Sequence, residues 1–182
     1  MTRHRFVLAL LCFFSSPAYA GDTCLEAARL IENELRIPAG LLVAIGIRES
    51  RFHGVMWPWS VNDRGRAKRY ATRRDAEIAV HRLQSESDSF DLGCFQIHWR
   101  WLGKSCADQA SDLFEARINA RCAGNHLKEM RAYTGSWDKA VMAYHVGPDR
   151  KGSQIEERGR DYACAVAKTF ASLRGTSVDC AR

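Results

Sequence analysis

Beyond its first twenty residues, the 182-residue sequence has no hydrophobic run long enough to cross a membrane. It contains only four prolines, with no Pro/Ser-rich linker and no internal repeat, which argues against several domains joined by flexible segments. No Cys-x-x-Cys pair or Cys/His spacing suggests a zinc site, and the histidines are scattered. These absences favour one domain that has no stable membrane anchor and needs no metal or other cofactor.

Residues 1–20, MTRHRFVLALLCFFSSPAYA, have the pattern of an export signal. Two arginines precede an apolar run at 6–14, which is too short to span a bilayer, and residues 18–20 form a small-x-small cleavage site. We therefore expect residues 1–20 to be a signal peptide and residues 21–182 to be a single exported domain.

Six of the seven cysteines remain after the expected cleavage. They are Cys24, Cys94, Cys106, Cys122, Cys164 and Cys180. An even number of cysteines in an exported chain indicates disulfide bonds. The sequence leaves their pairing open, because many pairings of six cysteines are possible.

The charge balance gives only a weak indication of a partner. Loss of the two signal arginines lowers the formal net charge from +6 to +4, which weakly favours an anionic partner such as a wall polymer. The only basic cluster, RGRAKRY at 64–70, is interpreted as a solvated loop. We expect no nucleic-acid binding, since the other basic residues are scattered among acids.

Helical periodicity runs through most of the chain. Helices are predicted from Thr23 to just before Pro38, at about 39–50, at 74–85, at about 111–132, after the cap Ser136 as far as Gly147-Pro148, and at about 154–173. Segments 54–72 and 91–101 are expected to be irregular, because no run shows sustained strand alternation. The prediction is a mostly α domain, in which the nearly uniformly apolar helix at 39–50 lies at the centre of the core.

That central helix ends in a charged pair, Arg48–Glu49, within the stretch IRESRF. Burial and the negative end of the helix dipole both raise the pKa of a carboxyl group in this position. A glutamate that stays protonated near neutral pH can act as a general acid. The alternative is a surface acid that pairs with Arg48 or Arg51.

Four motifs resemble those of lytic transglycosylases of the soluble-lytic-transglycosylase (SLT) type, which have a goose-type-lysozyme-like fold. IRESRF at 47–52 resembles the family's "ES" motif, and GCFQI at 93–97 resembles its "GLMQI" loop. AYHVG at 143–147 resembles "AYNAG", and RDYACAV at 160–166 resembles the late "R-x-YV-x-x-V" helix. The motifs occur in family order and together cover nearly the whole mature chain.

The resemblance implies that the substrate is the glycan strand of peptidoglycan. The implied reaction cleaves the MurNAc–GlcNAc β-1,4 bond and forms 1,6-anhydro-MurNAc. Glu49 matches the single catalytic residue, which acts first as an acid and then as a base. Ser50, Gln96, Tyr144 and Tyr162 match residues that surround the substrate.

The sequence departs from the family pattern at three places. His145 stands where the family usually has Asn, and Cys94 replaces the common Leu of the loop. Residues 54–90 replace a short link between the acid and the glutamine loop. The acids that follow Glu49 lie in no motif that indicates a second catalytic carboxylate: Asp63, Asp75, Glu77, Glu86, Asp88 and Asp91. Four tryptophans beside irregular segments are candidates for the wall of a sugar-binding groove: Trp57, Trp59, Trp99 and Trp101.

Two other functions remain open, a hydrolytic muramidase and a catalytically silent exported protein that binds the wall or acts as a scaffold. We expect a periplasmic monomer, with release outside the cell as the alternative. A single small catalytic domain suggests local wall opening for a secretion, pilus, conjugation or flagellar assembly.

Overall fold

The computed structural model describes residues 20–149 and 151–180. The expected signal peptide therefore lies outside the described residues, apart from the backbone of Ala20. The α-helices are α1 (Ala20–Leu35), α2 (Leu41–Ser50), α3 (Arg73–Glu86), α4 (Lys104–Cys106), α5 (Ala116–Thr134), α6 (Trp137–Val146) and α7 (Ser153–Leu173). The strands are β1 (Arg51–Phe52), β2 (Val55–Met56), β3 (Ser60–Asp63), β4 (Arg66–Arg69), β5 (Phe90–Leu92) and β6 (Ile97–His98). A π-helix spans Trp99–Gly103, and a 3-10 helix spans Ala110–Phe114.

The prediction of a mostly α, disulfide-stabilised domain around a central buried helix is confirmed. Helix α6 begins after Ser136, whose side chain accepts the N–H of Lys139, and it ends before Gly147. Helices α2, α3 and α7 agree with their predicted bounds to within two residues. Among the described residues, the search for a helix able to span a bilayer finds none.

Two helix starts differ from the prediction. Helix α1 begins at Ala20, three residues before the cap pattern at Thr23. Helix α5 begins at Ala116 rather than near 111, because Gln109 and Asp112 cap the 3-10 helix that precedes it. The N-cap of α5 is Glu115, whose side chain accepts the N–H of Arg117 at 3.2 Å.

The expectation that 54–72 and 91–101 are irregular is wrong. Strands β1 and β2 form a small hairpin, and β4-β3-β5-β6 form an antiparallel sheet in that order. In this sheet Val61 lies opposite Leu92, and Asn62 lies opposite Asp91. Each strand has only two to four residues, which is too few for alternating hydrophobicity to stand out in the sequence.

The basic cluster at 64–70 is also not a loop. It forms the turn and the outer strand, β4, of a hairpin, and its side chains are mostly exposed. Arg66 pairs with Asp63 across the hairpin at 2.6 Å. Charged side chains on an edge strand discourage pairing with another chain, which gives the cluster a structural explanation.

Helix α2 lies in the centre of the core, with Leu41 to Gly46 buried between α1 and α7. Gly46 allows a close approach, since a Cβ atom there would lie 2.4 Å from Met56 Sδ and 2.8 Å from Phe95 Cε1. The helix therefore packs directly against the loop at 93–97. The residue one turn later, Glu49, is carried to the same region.

The disulfide bonds settle the pairing that the sequence left open. They are Cys24–Cys94, Cys106–Cys122 and Cys164–Cys180. The first ties the loop at 93–97 to helix α1, 70 residues earlier in the chain. The third ties the end of the described chain to α7.

Replacing both Cys24 and Cys94 by serine should lower the free energy of unfolding by about 2–4 kcal/mol. It should also speed amide hydrogen exchange in residues 93–97, because the loop loses its tether to α1. The matched control replaces Cys164 and Cys180, which should lower stability without faster exchange in this loop. Equal exchange in the loop of both variants would contradict the tethering role.

Candidate active site

Glu49 lies in the last turn of α2, and its carboxyl group is surrounded by protein although part of the residue faces a groove. The Tyr162 hydroxyl donates a hydrogen bond to Glu49 Oε1 at 2.6 Å. Burial raises the pKa of Glu49 from 4.5 to about 7, and the nearby Asp91 carboxylate adds to the rise. The Tyr162 bond and Arg48 act in the opposite direction, with Arg48 contributing least. The carboxyl group is thus poised to exchange a proton near neutral pH.

Glutamates lie at both ends of α2, with Glu32 at its start and Glu49 in its last turn. Glu32, which is 3% exposed, accepts the N–H groups of Gly40 at 2.8 Å and Val43 at 3.0 Å. These bonds satisfy two backbone donors at the start of α2. Glu49 lies at the negative end of the same helix, which favours its protonated form.

The loop that carries Gln96 is held by Asn119 of α5, a fully buried residue. Asn119 Oδ1 accepts the N–H of Phe95 at 2.8 Å, and its Nδ2 donates to the carbonyls of Leu92 and Leu113. Gly93 is required beside it, because φ is +79° and a Cβ would lie 2.4 Å from Asn119 Nδ2. A single polar residue in an amphipathic helix gives no signal in the sequence, so Asn119 was not predicted.

Gln96 has a left-handed backbone, with φ of +49°. Its Nε2 donates to the carbonyl of Gly93 at 3.0 Å, and the side chain lines the same groove as Glu49. A non-glycine residue in this conformation carries backbone strain, which is commonest at functional sites.

The two tyrosines that match family positions make different contacts in the site. Tyr144 of α6 lines the groove, and its hydroxyl donates to the carbonyl of Phe95 at 3.0 Å. Tyr162 of α7 is buried, and its hydroxyl bonds Glu49 directly. His145 stacks on the Tyr162 ring with centroids 4.3 Å apart and planes within 3°. The histidine that replaces the family's Asn therefore packs on the tyrosine that holds the acid.

Ser50, predicted to bind substrate, has no surface available for a ligand. It is fully buried, its hydroxyl donates to the carbonyl of Gly46 at 3.3 Å, and it accepts the N–H of Trp57 at 3.2 Å. These bonds fix the chain that leaves α2. The residue is placed to position Glu49 and the hairpin that follows.

Asp91 is a site residue that the sequence analysis did not single out. It lies on β5, lines the groove and accepts a hydrogen bond from Asn62 Nδ2 at 2.7 Å. Burial raises its pKa, whereas the Asn62 bond and His98 lower it. The strand pairing that brings Asp91 towards Glu49 depends on short strands that left no pattern in the sequence.

The groove has a volume of about 1030 Å³ and is lined by α2, the β-sheet, the π-helix, α5 and α6. Of the four candidate tryptophans, only Trp101 lines it. Trp99 is buried, and Trp57 and Trp59 pack edge to face against each other with centroids 5.8 Å apart. Within the described residues, no group of three or more His, Cys, Asp or Glu is arranged to hold a metal.

A mostly helical lysozyme-like domain with an acid at the end of its central helix defines a class of glycan-cleaving proteins. Residues 26–163 match the family model described as Transglycosylase SLT domain, so the chain belongs to the transglycosylase SLT domain family. This is a family of peptidoglycan lytic transglycosylases. Comparison with curated proteins and with solved structures finds no significant match.

Glu49→Gln should stabilise the fold near pH 8 and change it little near pH 4. In the unfolded chain the carboxyl group ionises above 4.5, whereas the folded protein retains the proton up to about pH 7. The wild type therefore loses stability as the pH rises between these values. The difference between the folded and unfolded pKa values corresponds to roughly 3 kcal/mol at most. Urea unfolding at both pH values should show that Glu49→Gln raises the unfolding free energy by about 1–3 kcal/mol more at pH 8 than at pH 4.

Glu86→Gln, which changes an exposed acid at the end of α3, is the matched control. Because this side chain is exposed, the change in unfolding free energy caused by the substitution should be the same at both pH values. A Glu49→Gln effect that is equal at both pH values would show that the acid is not held protonated by burial.

Proposed function

We propose that this protein cleaves the MurNAc–GlcNAc β-1,4 bond of peptidoglycan and leaves 1,6-anhydro-MurNAc ends. The observation that carries the proposal is a groove-facing glutamate whose pKa is about 7. Such a group is largely protonated in mildly acidic solution and about half protonated at pH 7, and it becomes an effective base once the proton has left. One residue can therefore serve both halves of the reaction.

In the first half, Glu49 donates its proton to the glycosidic oxygen as that oxygen leaves C1 of MurNAc. The sugar's own 2-acetamido group stabilises the positive charge that develops at C1. In the second half, the Glu49 carboxylate takes the proton of the C6 hydroxyl of the same sugar, and O6 bonds to C1. Glu49 regains its proton, and no water is consumed.

The neighbours of Glu49 have separate roles in this scheme. Tyr162 donates to Oε1 and stabilises the carboxylate that forms when the proton leaves. Gln96 faces the substrate from a loop whose geometry is held by Asn119 and by the Tyr144 hydroxyl. Ser50 does not contact the substrate in this scheme and instead accepts the N–H of Trp57, which fixes the chain that follows Glu49.

A hydrolytic muramidase is the second candidate, and Asp91 is the observation that favours it. A second carboxylate that lines the same groove could orient a water molecule for attack on C1. Against this, burial raises the pKa of Asp91, which weakens it as a base near neutral pH. The lytic reaction needs no second carboxylate and remains the preferred proposal.

The setting of the reaction follows from residues 1–20 and the disulfides. Three disulfide bonds are typical of exported proteins, which supports a signal peptide at 1–20 and a mature catalytic domain at 21–182. We therefore place the reaction in the periplasm. A small catalytic domain suits local wall opening for a secretion, pilus, conjugation or flagellar assembly. We propose that the protein acts as a monomer.

The test digests purified sacculi with the wild type, Glu49→Gln and the control Glu86→Gln, followed by mass spectrometry of the products. The wild type and the control should release fragments with 1,6-anhydro ends, which are lighter by one water than hydrolytic products. Glu49→Gln should be slower by at least about a thousandfold, because it cannot donate a proton. Products that carry the extra water would favour the muramidase, and no release by the wild type would favour a silent wall-binding protein.

Tyr162→Phe should shift the alkaline limb of the pH profile of kcat/KM to higher pH. The Tyr162 hydrogen bond lowers the pKa of Glu49, so its removal raises that pKa and extends the pH range in which the acid is protonated. Tyr144→Phe is the control, because its hydroxyl bonds Phe95 and not Glu49. It should leave the limb in place, whatever its effect on rate. An unmoved or lowered limb in Tyr162→Phe would contradict this role.

A further inference from the structure

Trp101 is the most exposed of the large hydrophobic side chains in the described part of the chain, at 72%. The others more than about a third exposed are Leu30, Ile78, Tyr133, Leu173 and Val178. None of these lines the groove that contains Glu49, whereas Trp101 does. Because Trp101 lines the groove, its exposed indole is available to a ligand bound there.

The indole of Trp101 is carried by a π-helix that is held by packing and ion-pair contacts. The π-helix that carries it is anchored by Trp99, which is 5% exposed and packs so closely on Gly103 that a Cβ there would lie 2.7 Å from its ring. Arg100 Nε donates to Asp88 Oδ1 at 2.5 Å, and Lys104 Nζ lies 2.7 Å from Asp88 Oδ2. These contacts tie the π-helix to the segment before β5.

The same arginine also orders the indole. The Arg100 guanidinium lies over the Trp101 ring, 5.8 Å from its centroid, while the His98 ring lies 6.1 Å away at 36°. A cation over an indole is attracted to the electrons of the ring. Because the ring is already restrained, a ligand that stacks on it loses little conformational entropy.

The polar groups around Trp101 suit a sugar ring. A hexosamine has a face of C–H groups that can lie on an aromatic plate and a rim of hydroxyl and amide groups that need hydrogen bonds. The groove that Trp101 lines also contains hydrogen-bond donors and acceptors, which belong to His98, Ser105, His126 and Glu129. At about 1030 Å³ the groove lies at the upper limit of the range of about 300–1,000 Å³ that is typical of ligand pockets.

We propose that Trp101 is the stacking platform of a sugar subsite, which holds an N-acetylhexosamine ring of the glycan strand outside the pair joined by the cleaved bond. The inference rests on the proposed function, since it assumes that the groove holds a glycan strand. It goes further by assigning a specific residue to strand binding rather than to chemistry. Loss of the indole then weakens binding more than it slows the bond-breaking step.

The test measures binding by calorimetry, with soluble glycan strands freed of their peptides and with Glu49→Gln protein so that no cleavage occurs. Adding Trp101→Ala should raise Kd about tenfold, whereas Trp101→Tyr should retain most of the affinity. Adding Tyr133→Ala, which removes an exposed aromatic ring outside the groove, should leave Kd unchanged. In the active protein, Trp101→Ala should raise KM by a larger factor than it lowers kcat.

The outcomes separate the two proposals. If the wild type releases 1,6-anhydro products but Trp101→Ala binds strands as tightly as its parent, the platform is refuted and the proposed function stands. An equal loss in the Tyr133→Ala control would also refute the platform, because the effect would not depend on the groove. If the parent protein binds no strand and the wild type cleaves none, both proposals fail.

Discussion

The position of Glu49 at the carboxyl end of a buried helix is the constraint on which the rest of the site depends. Helix α2 packs between α1 and α7 at the centre of the core. The carboxyl group is therefore kept where its charged form is disfavoured. Glu32 binds the opposite end of the same helix through two backbone N–H groups. The two glutamates thus lie at opposite ends of one helix.

The groups that face Glu49 are held in place by interactions already present without substrate. Asn119 bonds three backbone groups of the chain around the loop, the Cys24–Cys94 bond ties it to α1, and Tyr144 bonds the Phe95 carbonyl. Little reorganisation is then needed when a strand enters the groove. Such preorganisation is how a protein concentrates the benefit of its dipoles on the reacting atoms.

Much of the fold followed from the sequence, because its long helices carry strong signals. The apolar run of α2, the Ser136 cap and the Gly147 stop were sufficient to place helices. The sheet could not be predicted in this way, since two- to four-residue strands are defined by their partners rather than by their own pattern. For the same reason Asp91 was not singled out, because its approach to Glu49 comes from strand pairing.

The site was predictable where a residue's role depends on its place along one helix. The raised pKa of Glu49 follows from helix position and burial, and both could be inferred from the residues around it. Asn119 and the true setting of Ser50 depend instead on contacts between distant segments. Disulfide pairing likewise required the packing of α1 against the loop. Tertiary contacts decide these features, and they leave no mark on neighbouring positions in the chain.

The folded protein keeps the Glu49 carboxyl group protonated up to nearly neutral pH. The most direct test is an NMR titration of protein labelled with ¹³C at the glutamate side-chain carboxyl carbons. The Glu49 signal would be assigned by its absence from the spectrum of Glu49→Gln. We expect a titration midpoint near pH 7. A midpoint near the ordinary value of 4.5 would contradict it.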